Sequence, residues 1–283
     1  MSNPIQRLET CEYLDQPSAS PVSYPSEDQV IWQHMKVHYF ITLLKNRKLY
    51  FSNATSYPSN VERDLFDAYW AILKTWKGVK KIDIKKISDY LMLRTFFSCW
   101  YMNLVPTNDV FLKFAGTEGL AISTTVKKID KLVGEYNENT SENLIIACAP
   151  VQYVTTVQYQ LKEDAAYVSK PVGLMLKTLV PLFYKFSNLS TENEFRMICR
   201  TEPTSALDPC TKRIIQPKGR SVEIGSNIDV AAFVDSVAIL ANQPDEYVDM
   251  LHCICTQNNF KLRLKKKIEQ NADGFVLYDL EEG

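Results

Sequence analysis

Glycine is scarce in this chain, with nine residues among 283. None of them forms the Gly-rich turn with which Rossmann and P-loop sites bring backbone amides against phosphates. The HExxH and GxSxG motifs are also absent, so the sequence marks neither a zinc-bound water nor a serine nucleophile. These absences argue against the two common nucleotide sites and leave any catalytic group to be found elsewhere.

Long apolar runs and an excess of one charge are missing as well. No window approaches the roughly 18 consecutive apolar residues of a membrane span, and the N-terminus lacks the apolar run of a signal peptide. The 32 basic and 33 acidic residues leave a net charge of -1, which offers little general attraction to nucleic acid or anionic lipid. We therefore expect a soluble protein without a membrane partner, on which a local charged patch is still possible.

Cysteine usage indicates the compartment and the metal content. Seven cysteines are an odd count in a chain long enough to bury a large core, which argues against a secreted disulfide scaffold and favours the cytoplasm. His252, Cys253 and Cys255 form the one close grouping of soft ligands, and no second pair completes a tetrahedral zinc site. We interpret these cysteines as buried helix residues and expect no metal.

Two basic clusters are present. One contains Lys77, Lys80, Lys81, Lys85 and Lys86, and the other contains Lys261, Arg263, Lys265, Lys266 and Lys267. Solvated faces are the usual explanation for such clusters, and a weak phosphate-facing surface is the alternative.

Composition predicts one folded domain preceded by an arm. Residues 1–28 contain Pro4, Pro17, Pro21 and Pro25 among polar side chains, a composition that interrupts regular structure and indicates a flexible N-terminal arm. The remaining residues, 29–283, have enough apolar content for a single α+β domain.

Periodicity places the elements of that domain. Residues 31–56 read as strand, helix and strand: Val37, Phe40, Ile41 and Leu44 have helical spacing, the helix stops at Asn46, and a strand follows at 49–52. Further strands are predicted at 94–102, 119–124, 143–150, 151–159, 194–201, 235–240 and 261–265. Helices are predicted at 64–76, after Thr107, at 126–133, at 174–185 and from Pro244 to about Thr256. This mixed order predicts an α+β fold with a mainly antiparallel central sheet and flanking helices.

Four blocks of sequence carry a family resemblance. They are IWQHMKVHYFITLLKNRKLYFSNATSY from Ile31, SCWYMN from Ser98, GLAISTT from Gly119 and PLFYKFSNLSTENEFRMICR from Pro181. In order and spacing they resemble the mainly bacterial family called domain of unknown function 2971, over most of residues 30–265. The layout of that family is in turn similar to ADP-ribosyltransferase-like folds. The resemblance implies a first strand ending in Arg or His, a Ser or Tyr strand, and a Glu on a late strand.

The resemblance implies NAD as the substrate and a carboxylate as the catalytic group. Cleaving the nicotinamide bond develops positive charge on the ribose, which a late-strand Glu can stabilise. Glu194 is the candidate, assisted by Glu192 if the strand already begins there, with Arg196 next on the same face. Ser52 would brace the nicotinamide ribose and Tyr50 could stack. A cross-strand pair in solvent is the alternative explanation for these charges.

The first strand departs from the family pattern. Gln33 stands where relatives usually carry Arg or His, and His34 follows one residue later. Adjacent strand residues face opposite ways, so His34 can replace the missing group only if the strand bulges or shifts register. Gln33 could still hydrogen-bond a ribose or an amide, without a charge.

Two hypotheses follow. The first is an NAD-consuming transferase or glycohydrolase acting in bacterial or phage conflict, with a protein or nucleic-acid acceptor or none. The second is a catalytically impaired interaction or regulatory module with a protein partner on the same scaffold. The loss of charge at Gln33 favours the second, but the placement of Glu194 and the other site residues leads us to expect the first.

Overall fold

The computed structural model describes residues 24–56, 92–139, 144–154, 180–201, 228–268 and 274–283. Over this part of the chain the protein is α+β, with a large, mainly antiparallel sheet and a few helices, as the sequence predicts. The chain divides into two compact units. Of the described residues, the first unit contains 24, 51–56, 92–98, 139, 144–154 and 180–201, and the second contains 25–50, 99–138, 228–268 and 274–283. The single domain expected over 29–283 stays a prediction.

The elements are numbered in chain order. The strands are β1 (Val30–Lys36), β2 (Ser52–Asn53), β3 (Thr95–Tyr101), β4 (Gly119–Thr125), β5 (Leu144–Pro150), β6 (Gln152–Val154), β7 (Tyr184–Phe186), β8 (Glu194–Thr201), β9 (Ser236–Leu240), β10 (Phe260–Ile268) and β11 (Phe275–Glu282). The helices are α1 (Val37–Asn46), α2 (Asn108–Phe114), α3 (Val126–Asn139), α4 (Val230–Phe233) and α5 (Asp245–Gln257). Short 3-10 helices cover Ala54–Ser56, Val180–Phe183 and Ser187–Glu192.

An antiparallel sheet forms the centre of the second unit. Its strands run in the order β10, β11, β9, β4, β1 and then residues 99–101 of β3. Every neighbouring pair is antiparallel, and Trp32 lies opposite Tyr101. The middle strands β4 and β9 are buried along almost their whole length, whereas β10 exposes most of its side chains. Burial therefore decreases from the middle of this sheet to the edge at β10.

Helices cover this sheet through apolar side chains. Helix α2 packs against β1 and β4, and α5 packs against β10 with Leu251 and Cys255 buried. One core cluster combines residues from α2 and from the sheet: Trp32, Phe111, Ala115, Ala121, Ala238, Leu240, Phe275 and Leu277. Burying large apolar side chains of this kind contributes about 1.5–3 kcal/mol each relative to leaving them in water.

The helix limits agree with the local sequence signals. Helix α1 begins at Val37 and ends at Asn46, as its spacing predicts, and Arg47 stops it in the left-handed region with φ 52. The Arg47 N–H donates to the Leu43 carbonyl, which closes the last turn. Before α2, Thr107 has an extended backbone but makes no side-chain cap, and Asp109 lies in the first turn where a negative charge suits the helix dipole.

In the first unit, β8 lies between β5 and β3. Strands β5 and β8 pair antiparallel along their whole length, from Leu144 opposite Thr201 to Pro150 opposite Phe195. Strand β2 pairs with β3, and β6 and β7 form a separate parallel pair. All side chains from Glu194 to Arg200 are buried. Since β8 is covered on both faces, its charged side chains are taken out of water.

Several sequence predictions need correction. Residues 49–51 are not in a strand, and β2 contains only Ser52–Asn53, although Leu49 and Phe51 are buried and Tyr50 and Ser52 are half-buried as alternation predicts. In the helix predicted at 174–185, residues 180–183 form a 3-10 helix and 184–185 belong to β7. Strand β11 is absent from the sequence prediction. The predicted helix at 64–76, most of the arm at 1–28 and most of the strand at 151–159 lie outside the described residues.

Two further properties concern the helices and the cysteines. Within the described ranges, no helix is long and apolar enough to cross a membrane. The cysteines of the same ranges, Cys99, Cys148, Cys199, Cys253 and Cys255, are all free thiols.

Candidate functional site

A turn before β8 brings the predicted acids together. The 3-10 helix Ser187–Glu192 ends at Glu192, Asn193 takes a left-handed backbone with φ 43, and β8 begins at Glu194. Asparagine tolerates this region better than most residues. The strand therefore does not begin at Glu192, so the condition under which Glu192 and Glu194 would share a strand face is not met. The turn, together with a lysine, holds the two carboxylates close.

That lysine is Lys185, on β7. Its Nζ lies 2.6 Å from Glu192 Oε2 and 2.6 Å from Glu194 Oε2. Arg196 completes the group: its Nε donates to Glu194 Oε1 at 2.6 Å and its Nη2 donates to Glu194 Oε2 at 3.2 Å. Glu194 and Arg196 thus share a face of β8, as alternation predicts. We call Lys185, Glu192, Glu194 and Arg196 the buried charge cluster.

The cluster is closed off from water and neutral in sum. The side-chain exposures are 9% for Lys185, 6% for Glu192, 0% for Glu194 and 1% for Arg196. In formal charge, the two carboxylates of the cluster balance its two cations. Buried charges are tolerated in proteins when they are paired and hydrogen-bonded in this way.

Neighbouring groups satisfy the rest of the cluster. Arg196 Nη1 donates to the Leu182 carbonyl, and the guanidinium lies 4.8 Å from the centre of the Phe97 ring, within range of a cation–π interaction. The Glu194 backbone N–H donates to the Tyr153 hydroxyl at 3.0 Å. Burial raises the pKa of Tyr153, so this phenol stays neutral.

Charge, not solvent, sets the ionisation of Glu194. Burial alone would raise the pKa of this carboxyl, but the charges of Arg196 and Lys185 and their hydrogen bonds outweigh it, and the pKa falls to about 2. Glu194 is therefore ionised at neutral pH. Both of its oxygens already accept hydrogen bonds from cations of the protein.

Ser52 and Tyr50, two further predicted site residues, belong to different units. Ser52, in the first unit, is half-buried and sits opposite Phe97 in the β2–β3 pair. Tyr50, in the second unit, stacks on Tyr39 with ring centres 4.3 Å apart. Burial, followed by the interaction with Tyr50, raises the pKa of Tyr39.

Gln33 and His34 lie on opposite faces of β1 in the second unit. Gln33 is half-buried opposite Ile122, and His34 is buried opposite Ala121. The imidazole of His34 contacts Tyr101 and Phe111 edge-on, with ring centres 5.0 Å and 5.7 Å away. Neither ring nitrogen has a hydrogen-bond partner within the described residues. Burial lowers the pKa of His34 to about 3, so it is a neutral core residue.

The structure thus brings together three of the predicted residues, Glu192, Glu194 and Arg196. It adds two that sequence reasoning missed, Lys185 and Tyr153. Lys185 is the single charge in the apolar segment PLFYKFS, and a lone charge in such a segment indicates a buried partner. The carboxylates of the cluster are already bound by cations of the chain. Over the described ranges, no group of three His, Cys, Asp or Glu side chains is placed to hold a metal ion.

Three comparisons with known proteins identify no relative of the chain. No protein-family model, no curated protein and no solved structure matches the chain. The resemblance to domain of unknown function 2971 stays a prediction.

Proposed function

We propose that this protein is a noncatalytic interaction module in which the buried charge cluster stabilises the first unit. One observation carries the proposal: the Glu194 carboxylate is 0% exposed, and both of its oxygens accept hydrogen bonds from Arg196 or Lys185. A carboxylate that stabilises a sugar cation must touch that sugar. In this arrangement Glu194 touches side chains of its own unit.

Releasing Glu194 for catalysis would be costly. The carboxylate would have to exchange bonds with Arg196 and Lys185 for contact with a ribose, leaving Glu192 as the one acid of the cluster beside two cations. Breaking a buried pair typically costs about 3–5 kcal/mol, because it leaves an uncompensated charge. A structural role requires no such exchange.

An ADP-ribosyltransferase-like enzyme is the second candidate, and a specific observation favours it. Glu194 and Glu192 meet on the same lysine, so two carboxylates lie close together, and Glu194 has the negative charge that an oxocarbenium-like transition state needs. In that function NAD would be the substrate and Glu194 the catalytic carboxylate, with Glu192 beside it. Ser52 and Arg196, which belong to the same unit as Glu194, would hold the NAD. The family resemblance supports this reading, and the enclosure of Glu194 counts against it.

Incubation with NAD separates the two functions. The protein is mixed with NAD, and nicotinamide release is followed by liquid chromatography for the wild type, Glu194→Gln and the matched control Glu281→Gln. Glu281 is an exposed acid on β11, so its substitution makes the same chemical change outside the cluster. We expect no release above buffer from any of the three proteins.

Release by the wild type and by Glu281→Gln, but not by Glu194→Gln, would overturn the noncatalytic proposal. Circular dichroism establishes whether Glu194→Gln is folded. Should it unfold, Ser52→Ala replaces it, because Ser52 is half-buried and its loss leaves the cluster intact. Loss of a wild-type turnover in Ser52→Ala would count equally against the proposal.

A further inference from the structure

The edge strand β10 is an exposed and strongly basic surface of the second unit. It pairs with β11 on one side, and no other strand in the described part of the chain pairs with its outer edge. An outer edge presents backbone N–H and C=O groups that another strand can pair with. The nine residues of β10 make this edge roughly 30 Å long.

Cations line this edge. The exposed cations of β10 are Lys261, Arg263, Lys265, Lys266 and Lys267, which we call the basic edge. Two of them meet acids of β11, since Arg263 lies 3.7 Å from Glu281 and Lys265 lies 2.8 Å from Asp279. Lys266 and Lys267 lie opposite Leu277 and Val276 and make no ion pair with any described residue. The basic edge therefore retains positive charge that no acid of the second unit's described residues neutralises.

The register assigns these side chains to two faces. Lys261, Arg263 and Lys266 lie opposite Glu281, Asp279 and Leu277, alternate residues of β11, so they share one face. An irregularity between Leu264 and Lys266 accommodates the extra residue Lys265. Leu264 lies on the other face and is 57% exposed. Lys267 lies opposite Val276, so it shares the face of Leu264. An added strand would thus meet three cations on one face, and Leu264 together with Lys267 on the other.

We propose that the basic edge binds an extended acidic segment of a partner protein, which adds to the sheet as a further strand beside β10. This inference rests on the proposed interaction function and names the partner. Alternating acidic side chains would lie about 5 Å from Lys261, Arg263 and Lys266, the distance of cross-strand neighbours. The intervening apolar side chains would pack near Leu264.

Charge and backbone hydrogen bonding favour an acidic peptide over a second copy of the chain and over nucleic acid. A second copy of the chain would place β10 against β10 and lysine against lysine, which repel. Nucleic acid could meet the lysines, but it offers no strand backbone for the unpaired edge, and the net charge of -1 gives it no general attraction. An acidic peptide satisfies both the charges and the backbone groups.

The test measures peptide binding by fluorescence polarisation. The probe is a labelled peptide of about ten residues that alternates glutamate with valine, long enough to span the edge. We expect Lys266→Glu combined with Lys267→Glu to weaken binding by about tenfold or more, through loss and reversal of charge. The matched control, Lys36→Glu combined with Lys131→Glu, changes the net charge equally on β1 and α3 and should bind as the wild type does.

Two further probes separate strand addition from simple charge attraction. One peptide carries N-methyl groups on its glutamates and the other on its valines. Because alternate residues of a strand direct their backbone N–H groups to opposite edges, each peptide lacks the N–H donors along one of its own two edges. We expect one of the two to lose binding. The proposal is overturned if the unmodified peptide does not bind, if both methylated peptides bind as well as it does, or if the Lys266 and Lys267 substitutions have no effect.

Single-stranded oligothymidylate serves as the competing class of ligand. Tighter binding of oligothymidylate than of the peptide would also overturn the proposal and indicate a nucleic-acid surface. The NAD assay reports on a different property. If the peptide does not bind and NAD is not cleaved, only the proposal of an acidic partner strand is overturned. If the peptide binds and NAD is cleaved, only the noncatalytic function is overturned.

Discussion

The two units place similar charged residues in opposite environments. In the first unit, the side chains of Lys185, Glu194 and Arg196 are at most 9% exposed and are bound to one another. In the second, the cations of β10 are exposed, and Lys266 and Lys267 make no ion pair within the described residues. Removing one partner of a buried ion pair leaves a charge without solvent, whereas an exposed charged side chain is solvated by water when it has no ion-pair partner. The difference indicates that the buried group maintains the fold and that the exposed group is available for binding.

The largest effect should follow from breaking the buried charge cluster. Glu194→Gln removes one of two acids and leaves Lys185 and Arg196 beside Glu192 alone. We expect a loss of about 3–5 kcal/mol in the free energy of unfolding, measured by urea titration. A loss below about 1 kcal/mol would show that water reaches the cluster.

A double variant serves as the control for this loss. Lys185→Met removes a cation, so the combination with Glu194→Gln restores the balance of charge between Glu192 and Arg196. The double variant should lose less free energy than the sum of the two single variants, by about 1 kcal/mol or more. Simple additivity would mean that the two side chains are not coupled.

An intermediate effect should come from His34, which is buried without a hydrogen-bond partner in the described residues. Burial lowers its pKa from 6.5 to about 3, so between these values the unfolded chain binds more protons than the folded one. Stability is therefore fully present above pH 6.5 and decreases as the pH falls, by at most about 1.4 kcal/mol per pH unit, so the loss between pH 6.5 and 4.5 is no more than about 3 kcal/mol. Urea titrations at several pH values measure the slope.

Glu194 also makes the protein less stable as the pH falls, but over a lower pH range than His34. Its pKa is lowered from 4.5 to about 2, so the stability it contributes is present above pH 4.5 and is lost as the pH falls towards 2. Of these two groups, only His34 therefore contributes appreciably between pH 6.5 and 4.5. His34→Leu should flatten the curve in this interval, and an unchanged slope in that variant would assign the pH dependence to another group.

The smallest effect should come from the basic edge. Lys266→Glu combined with Lys267→Glu alters two exposed side chains that lie opposite Leu277 and Val276. We expect the free energy of unfolding to change by less than about 0.5 kcal/mol. A loss above about 1 kcal/mol would give these lysines a structural role, and the contrast between the two units would then disappear.

Local patterns predicted much of the fold. The apolar spacing of α1 and the alternation of β8 gave the limits Val37–Asn46 and Glu194–Thr201 that the structure has. Strand β11 was not predicted, because its apolar residues are followed directly by acidic residues near the end of the sequence. Residues 49–51 alternate like a strand but lack a pairing partner there, so the backbone stays irregular despite the burial of Leu49 and Phe51.

The candidate site could be predicted only in part. Alternation along one strand placed Glu194 and Arg196 on the same face. It could not place Lys185, because that contact depends on the left-handed turn at Asn193 and on the pairing of β7 with β6. Nor could it predict that Phe97 and the Leu182 carbonyl enclose Arg196. Enclosure is a tertiary property, which the alternation of residues along one strand does not report.

The short chain distance between Lys185 and Glu192 also affects the denatured protein. These residues are only seven positions apart, whereas the hydrogen bond from Arg200 to Thr95 joins residues 105 positions apart. The entropy lost on closing a loop grows with its length, so the shorter link can persist as residual structure after the sheet has melted. A substitution at Lys185 therefore acts on the denatured ensemble as well as on the native state.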